Sequence, residues 1–296
     1  MNLTAELQPD QQPARWDNHV AVYEAAFEPL TNGFARRALD RLALRPGERL
    51  IDVAAGSGGA ALAAAAAGAD VLAVDAAPAM VARIRERAGA APAGLPRVDA
   101  AVMDGTALAV ADASFDAAIS VFGVILFADA ALGMREIARV LKPGGRAAVV
   151  TWTNPERYEL ATRLLAAIAT VRGPQSPPAA LPAQLRFRDA MAFRDLLTGA
   201  GLDVDAIVRL EERWTLPSAR WIAERIGFAP GMEAMINALA DDRGPVLDAF
   251  VAAIERDQGY AEVTLSAVAH VALATRPRVQ KTWPEPVTKW RSEAIN

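Results

Sequence analysis

The sequence predicts an α/β protein built on a doubly wound, mostly parallel sheet. Three observations carry this expectation. Short apolar runs alternate with helix-spaced apolar faces for about a hundred residues beyond Arg49. A glycine turn, Gly56-Ser57-Gly58-Gly59, joins the first run to an alanine-rich segment, as a strand-to-helix connection requires. The 296 residues suffice to bury the core of such a sheet.

The elements follow in order. Residues from Met1 to about Pro13 are polar and read as a loose arm. Trp16, Val20, Tyr23 and Phe27 recur at helical spacing, and Pro29 breaks that helix. Thr31 then reads as the cap of a second helix carrying Phe34, Ala38, Leu39 and Leu42, and Arg45-Pro46-Gly47 as a turn. Arg49–Val53 is a buried strand that runs into the glycine turn, and the helix after it reaches Gly68. Asp70–Asp75 is a second strand; Pro78 opens a helix with Met80, Val81, Ile84 and Ala88 on one face. After the loop Ala90–Pro96, a third strand over Val98–Met103 ends at Asp104-Gly105. A fourth, Phe115–Val121, is followed by Phe122-Gly123. A helix from Asp129 to Leu141 is stopped by Lys142-Pro143-Gly144-Gly145, and Arg146–Trp152 is the fifth strand.

The last third is less regular. Pro155–Arg172 reads as helical, Gly173–Pro182 as a Pro-rich loop, and Asp189 as the cap of a helix ending near Gly199. Val204, Ala206, Val208 and Leu210 alternate with polar residues, the pattern of a half-exposed strand. Helices near Ser218–Ile226 and Pro245–Asp257 precede a last strand over Ala261–Ala274. The tail from Pro277 is Pro-rich and carries Trp283 and Trp290.

Composition removes several functional classes. With 31 basic against 35 acidic residues and a pI near 5.4, the chain offers no positive field for nucleic acid. It has no cysteine and only two histidines, His19 and His270, far apart, so no metal site is expected. No apolar run is long enough to span a bilayer and no signal peptide opens the chain, so a cytoplasmic location is expected.

The glycine turn identifies the ligand class. Gly56-Ser57-Gly58-Gly59-Ala60-Ala61 fits the dinucleotide fingerprint in its Ala-ended form, and Asp75 lies where an acid would hold a ribose. Asp52, however, stands at the mouth of the turn, where it would repel a pyrophosphate and suit a cationic ligand. No Lys or Arg lies between Asp52 and Asp75. The Asp104 carboxylate could accept from an exocyclic adenine amine. These features agree on an adenosyl cofactor without phosphates. The competing readings are helix N-terminal carboxylates for Asp52 and Asp75, a turn Asx for Asp104, and a backbone-bonded strand-start carboxylate for Asp116.

Leu50-Ile51-Asp52-Val53-Ala54-Ala55-Gly56-Ser57-Gly58, Val74-Asp75, Met103-Asp104-Gly105, Phe115–Ser120 and Leu141–Gly145 together resemble the ordered motifs of class I S-adenosyl-L-methionine (SAM)-dependent methyltransferases. The branch they resemble is the ubiquinone/menaquinone-biosynthesis type and its small-molecule relatives. The resemblance implies a Rossmann-like, seven-stranded sheet with the last strand antiparallel and helical cap insertions. It divides the chain into cap helices (1–45), a SAM-binding core (46–152), the rest of the sheet with a substrate cap (153–276) and a tail (277–296). It also implies that the Gly56–Gly58 backbone, with Ser57, passes beside the methionine part of SAM, with Asp52 near its amino group. Asp75 would hold the ribose hydroxyls, Ala76 and Met80 would flank adenine, and Asp104, before Gly105, would bind its amine. Ser120, Val121 and Phe122 would line the floor where the methyl group is exposed. Ala54 departs from the family, which usually has glycine there; its methyl should fit if the backbone is not left-handed.

The expected chemistry is in-line methyl transfer to a small, lipophilic or aromatic acceptor, driven by positioning. Base candidates are His19, Tyr23, Glu28, Asp129 and His270; Tyr23 reads equally as part of a core stripe, His19 more readily as a partly solvated residue beside it, and His270 as a hydrogen-bonded sheet histidine. Phe187, Trp214, Trp221, Phe228, Met232 and Met235 would line the acceptor pocket or simply pack the cap. A homodimer is compatible with all of this. Two alternatives stay open: a SAM-fold protein that does not methylate, and an NAD-type oxidoreductase, which Asp52 and the lack of a Tyr-x-x-x-Lys pair disfavour.

Overall fold

A computed structural model describes residues 6–90, 96–174 and 181–278. Seven strands, β1 (Arg49–Val53), β2 (Asp70–Asp75), β3 (Val98–Val102), β4 (Phe115–Val121), β5 (Leu141–Trp152), β6 (Asp203–Leu216) and β7 (Val263–Thr275), form one sheet. Their order is β3-β2-β1-β4-β5-β7-β6. Neighbours from β3 to β5 pair in parallel, and β7 runs against both β5 and β6. Leu50, Ile51 and Val53 of β1 are fully buried, as a strand covered on both faces demands. The expected sheet, with its last strand antiparallel, is the observed one.

Among the described residues eleven helices surround it: α1 (Pro13–Trp16), α2 (Val20–Ala26), α3 (Glu28–Leu42), α4 (Gly59–Ala66), α5 (Pro78–Gly89), α6 (Ala130–Val140), α7 (Glu159–Arg172), α8 (Ala190–Gly199), α9 (Ala219–Glu224), α10 (Pro230–Asn237) and α11 (Arg243–Gln258). One core cluster gathers Phe34 of α3, the buried alanines of α4, Leu164 of α7 and Phe250 of α11 against Leu50, Trp152 and Trp214. The other packs Met134 of α6 and Phe193 of α8 against Phe115 and Val149. Alanines on α4 let that helix lie close to β1 and β2.

Several expected boundaries shift, each for a physical reason. The arm is tied down where it is described: Asp10 accepts from Gly231 N at 2.6 Å, and Gln8 accepts from Ala183 N at 2.8 Å. The helix expected from Trp16 is split, because Asp17 turns away to cap α5, accepting from Ala79 N at 2.8 Å. Pro29 sits in the first turn of α3, where a missing N–H costs nothing, so Thr31 lies inside the helix and is not its cap. Its hydroxyl instead donates to Glu28 O. Lys142–Gly145 belongs to β5 as an irregular stretch, since Leu141 already pairs with Phe115 before the register shifts to Ala117 and Arg146. The β3–β4 crossover carries no helix; Arg139 holds it by donating to Val110 O and Leu108 O. Asp189 caps α8 as expected. The loops around 91–95 and 175–180, and the tail with Trp283 and Trp290, lie outside the described residues.

Candidate functional site

The chain leaves β1 toward β2 and β3 on one side, then crosses to β4 on the other. The carboxyl ends of β1 and β4 therefore form the switch point where a doubly wound sheet opens a crevice. Asp52, Ala54 and Ala55 meet Val121 there, and Tyr23, Glu28, Thr31 and Asn32 from α2 and α3 complete the walls of a cavity. The glycine turn is built for close approach: Gly56 and Gly58 have φ of +55° and +92°. A methyl at Gly56 would touch the Tyr23 ring, and one at Gly58 would strike Ile84 of α5.

Two carboxylates dominate the electrostatics. Asp52 is 1% exposed, and its Oδ2 has no hydrogen-bond partner among the described residues. Burial, with the charge of Asp75 adding to it, pushes the Asp52 carboxyl up to about 7, against the pull of the Ala61 N–H. Asp75 accepts from Gly56 N through Oδ2 and from Ala77 N through Oδ1, each at 2.9 Å. Burial outweighs those donors and raises it to about 6. Two enclosed acids with an unsatisfied oxygen suit a cationic ligand that also brings hydroxyl donors.

The turn is braced from behind. Ser57, fully buried, donates to Glu28 Oε1 at 2.8 Å, and Arg87 Nη1 reaches the same oxygen at 2.6 Å and Ser57 O at 2.9 Å. Arg87 thus brings a cation to the turn that sequence spacing did not reveal, but it is committed to Glu28. A methyl at Gly59 would fall 2.0 Å from Asn32 Oδ1, so α3 presses directly on the start of α4.

The Ala54 backbone is left-handed, with φ of +59°, so the condition under which its methyl fits without strain is not met. Its methyl is accommodated because Gly123 faces it: a Cβ on Gly123 would lie 2.4 Å from Ala54 Cβ. Phe122 is left-handed too, at +60°, which turns its ring onto Trp152 with centroids 3.9 Å apart. Ala43, Ala113 and Ala240 are left-handed as well, but Ala54 and Phe122 are the pair that meets at the crevice.

The other expected residues fall as follows. Asp104 is exposed, and its Oδ1 accepts from Thr106 N and Oγ1, each at 2.8 Å, which is the turn reading. Gly105 leaves room for the Phe127 ring. Met80 is buried and Ala76 half-buried. Ser120 is fully buried and accepts from Val124 N at 3.2 Å, so its hydroxyl faces the fold, while Val121 lines the cavity. Asp116 accepts from Arg49 N and from Lys142 Nζ, a structural role.

Among the base candidates Glu28 lines the cavity wall, and so does Tyr23, the one phenol of the set. Burial raises its pKa far above the usual range, and it bonds Thr31 Oγ1 at 3.3 Å. His19 is buried with Nδ1 on Arg15 O at 2.7 Å and Nε2 3.5 Å from Glu233. Glu28 is ion-paired, and Asp129 caps α6. His270 sits in β7 with Nε2 on Arg188 O at 3.2 Å, its pKa lowered by burial. Among the described residues no three acids or histidines converge as metal ligands, and no helix is long and apolar enough to cross a membrane.

Sequence reasoning missed Thr31 and Asn32 as wall residues; they follow a tyrosine and a proline in helices whose docking only tertiary packing reveals. Of the expected acceptor-pocket residues, Trp214 and Phe228 are buried in the core cluster, while Phe187, Trp221, Met232 and Met235 pack at its margin.

Comparison with known proteins agrees with this geometry. Residues 51–149 match the family model described as a methyltransferase domain. The demethylmenaquinone methyltransferase of Corynebacterium kroppenstedtii is 35% identical over 156 residues, 51% of this chain and 64% of that protein. That of Parafrankia is 36% identical over 172 residues, covering 51% and 66%. The match thus spans less than two thirds of these relatives' length. The crystal structure of the [4+2]-cyclase SpnF superposes with a TM-score of 0.58 at 21% identity, over 92% of this chain and 98% of that one, and so shares the fold.

Proposed function

We propose, from the premise that residues 51–149 are a class I SAM-dependent methyltransferase domain, that this protein methylates a small, largely apolar acceptor. The observation that carries the reading is the buried Asp52 carboxylate, with an oxygen unpartnered among the described residues, beside Asp75 at the glycine turn. Its chemistry fits an ammonium or sulfonium group and opposes a pyrophosphate. SAM would supply an electrophilic methyl group on a cationic sulfur.

The residues of the chain divide the remaining work. Asp52 would hold the amino group of the cofactor, while the Asn32 amide, on the same cavity wall, would donate to its carboxylate. Asp75, already oriented by two backbone N–H groups, would accept from the ribose. Asp104 keeps an exposed carboxylate beside the strand end for an adenine amine. The Phe122 and Trp152 rings would exclude water where the methyl group is transferred. No candidate base stands free at the crevice, so positioning would carry the rate.

The test is calorimetric titration with S-adenosylhomocysteine, with NADH as the control. Binding of the first, lost in Asp75→Ala, is the expected result. Binding of NADH alone would overturn the reading.

A further inference from the structure

Tyr23 of α2 stands over the glycine turn. Its Oη lies 3.5 Å from the position a Cβ on Gly56 would take, and the residue lines the same cavity as Asp52 and Ala54. Trp16 and Phe27 meet the ring edge-on, with centroids at 6.0 and 5.7 Å, and so fix the place of its oxygen.

The direction of the phenol proton follows from its neighbours. Thr31 Oγ1 carries one hydrogen, and it goes to Glu28 O at 3.1 Å, a carbonyl that can only accept. In the 3.3 Å contact between Tyr23 Oη and Thr31 Oγ1 the tyrosine is therefore the donor. Its proton is committed to α3, and no described residue donates to the phenol oxygen. Burial keeps the phenol neutral by raising its pKa far above the usual range. What Tyr23 presents to the cavity is thus a neutral oxygen with free lone pairs.

The other side chains at the turn share that character. Asp52 Oδ2 is unpartnered among the described residues, and Asp75 accepts through both oxygens. An oxygen that only accepts opposes a ligand's carboxylate, and beside two acids it makes the lining electron-rich, as a cation requires. Asp52 already answers an ammonium group and Asp75 a pair of hydroxyls, which leaves the Tyr23 oxygen for a second cationic centre.

We propose that Tyr23 reads the charge of the cofactor, its lone pairs facing the sulfonium centre of SAM and favouring it over the neutral thioether of S-adenosylhomocysteine. This rests on the methyl-transfer reading above. Tyr23 removes no proton and forms no bond; it attracts the cation and loses that attraction once the methyl group has left. The site thereby disfavours its own product.

Calorimetric titration of the full chain at pH 8 with SAM and with S-adenosylhomocysteine tests this, because the two ligands differ only at sulfur. Tyr23→Phe keeps the ring against Trp16 and Phe27 and removes the oxygen. It should weaken SAM about tenfold and leave S-adenosylhomocysteine within about twofold. Thr31→Val frees the Tyr23 proton, which the charges of Glu28, Asp75 and Asp52 draw toward the cavity, and should weaken SAM selectively as well. An equal loss for both ligands in Tyr23→Phe would assign the oxygen to the ammonium group or to the fold, and it overturns the proposal. No loss for either ligand overturns it too, and with both ligands bound the methyl-transfer reading survives. A parent that binds neither ligand refutes that reading and the proposal with it.

Discussion

Replacing Asp52 by Asn should stabilise the free protein while destroying its ligand site. The carboxyl rises from 3.8 in the unfolded chain to about 7 in the fold because it is buried beside Asp75. A group raised in this way favours folding below its unfolded value, and that contribution is lost as pH climbs through the folded value. At pH 8 the parent must bury a charge, at a cost of about 4 kcal/mol from roughly three units at about 1.4 kcal/mol each. Asn carries no charge at any pH. Urea midpoints of parent and Asp52→Asn should therefore diverge in favour of the variant at pH 8 and nearly coincide at pH 4. In the parent, S-adenosylhomocysteine should bind more tightly as pH rises through 7, because its ammonium needs the ionised carboxylate. A variant less stable than the parent at pH 8, or a difference that does not change with pH, would refute the assignment of Asp52 as an unpaired buried acid.

Other outcomes follow from the same site. Ala54→Gly should raise stability by about 1 kcal/mol by relieving the left-handed alanine, read as a higher melting temperature. Gly123→Ala should destabilise by about 2 kcal/mol through its clash with the Ala54 methyl, and the double variant should recover part of the loss, leaving the tighter fit to Ser120 Oγ and Val53 O. Arg87→Gln should cost about 3 kcal/mol, because Glu28 is left buried without its cation, and Glu28→Gln on that background should restore much of it. His19→Ala should leave turnover within about tenfold, since its ring faces Arg15 O and Glu233 and not the cavity; a loss of about a thousandfold with cofactor affinity intact would make it catalytic.

The strands were legible because burial on both faces leaves continuous apolar runs: β1, β2 and β4 fall on the expected Arg49–Val53, Asp70–Asp75 and Phe115–Val121. The Asp189 cap was legible because capping is local. What escaped depends on distant partners. Pro29 and Thr31 look alike as helix signals, and only the α2–α3 packing places the proline inside the first turn. The left-handed Ala54 could not be read from its own neighbours, since Gly123 provides the space for its methyl from another strand end. Arg87 meets Glu28 across 59 residues of chain, and no pattern of spacing announces that pair. Phe122, Trp152, Tyr158 and Trp214 stack in series across β4, β5, the turn after β5 and β6, so their rings read separately as core residues.

The central claim is that the glycine turn serves a cationic adenosyl ligand held by Asp52 and Asp75. A crystal structure of the complex with S-adenosylhomocysteine tests it most directly. The account predicts the ligand's ammonium within hydrogen-bond distance of Asp52 Oδ2 and its ribose hydroxyls on Asp75. A ligand bound with its carboxylate toward Asp52, or away from the turn altogether, would contradict it.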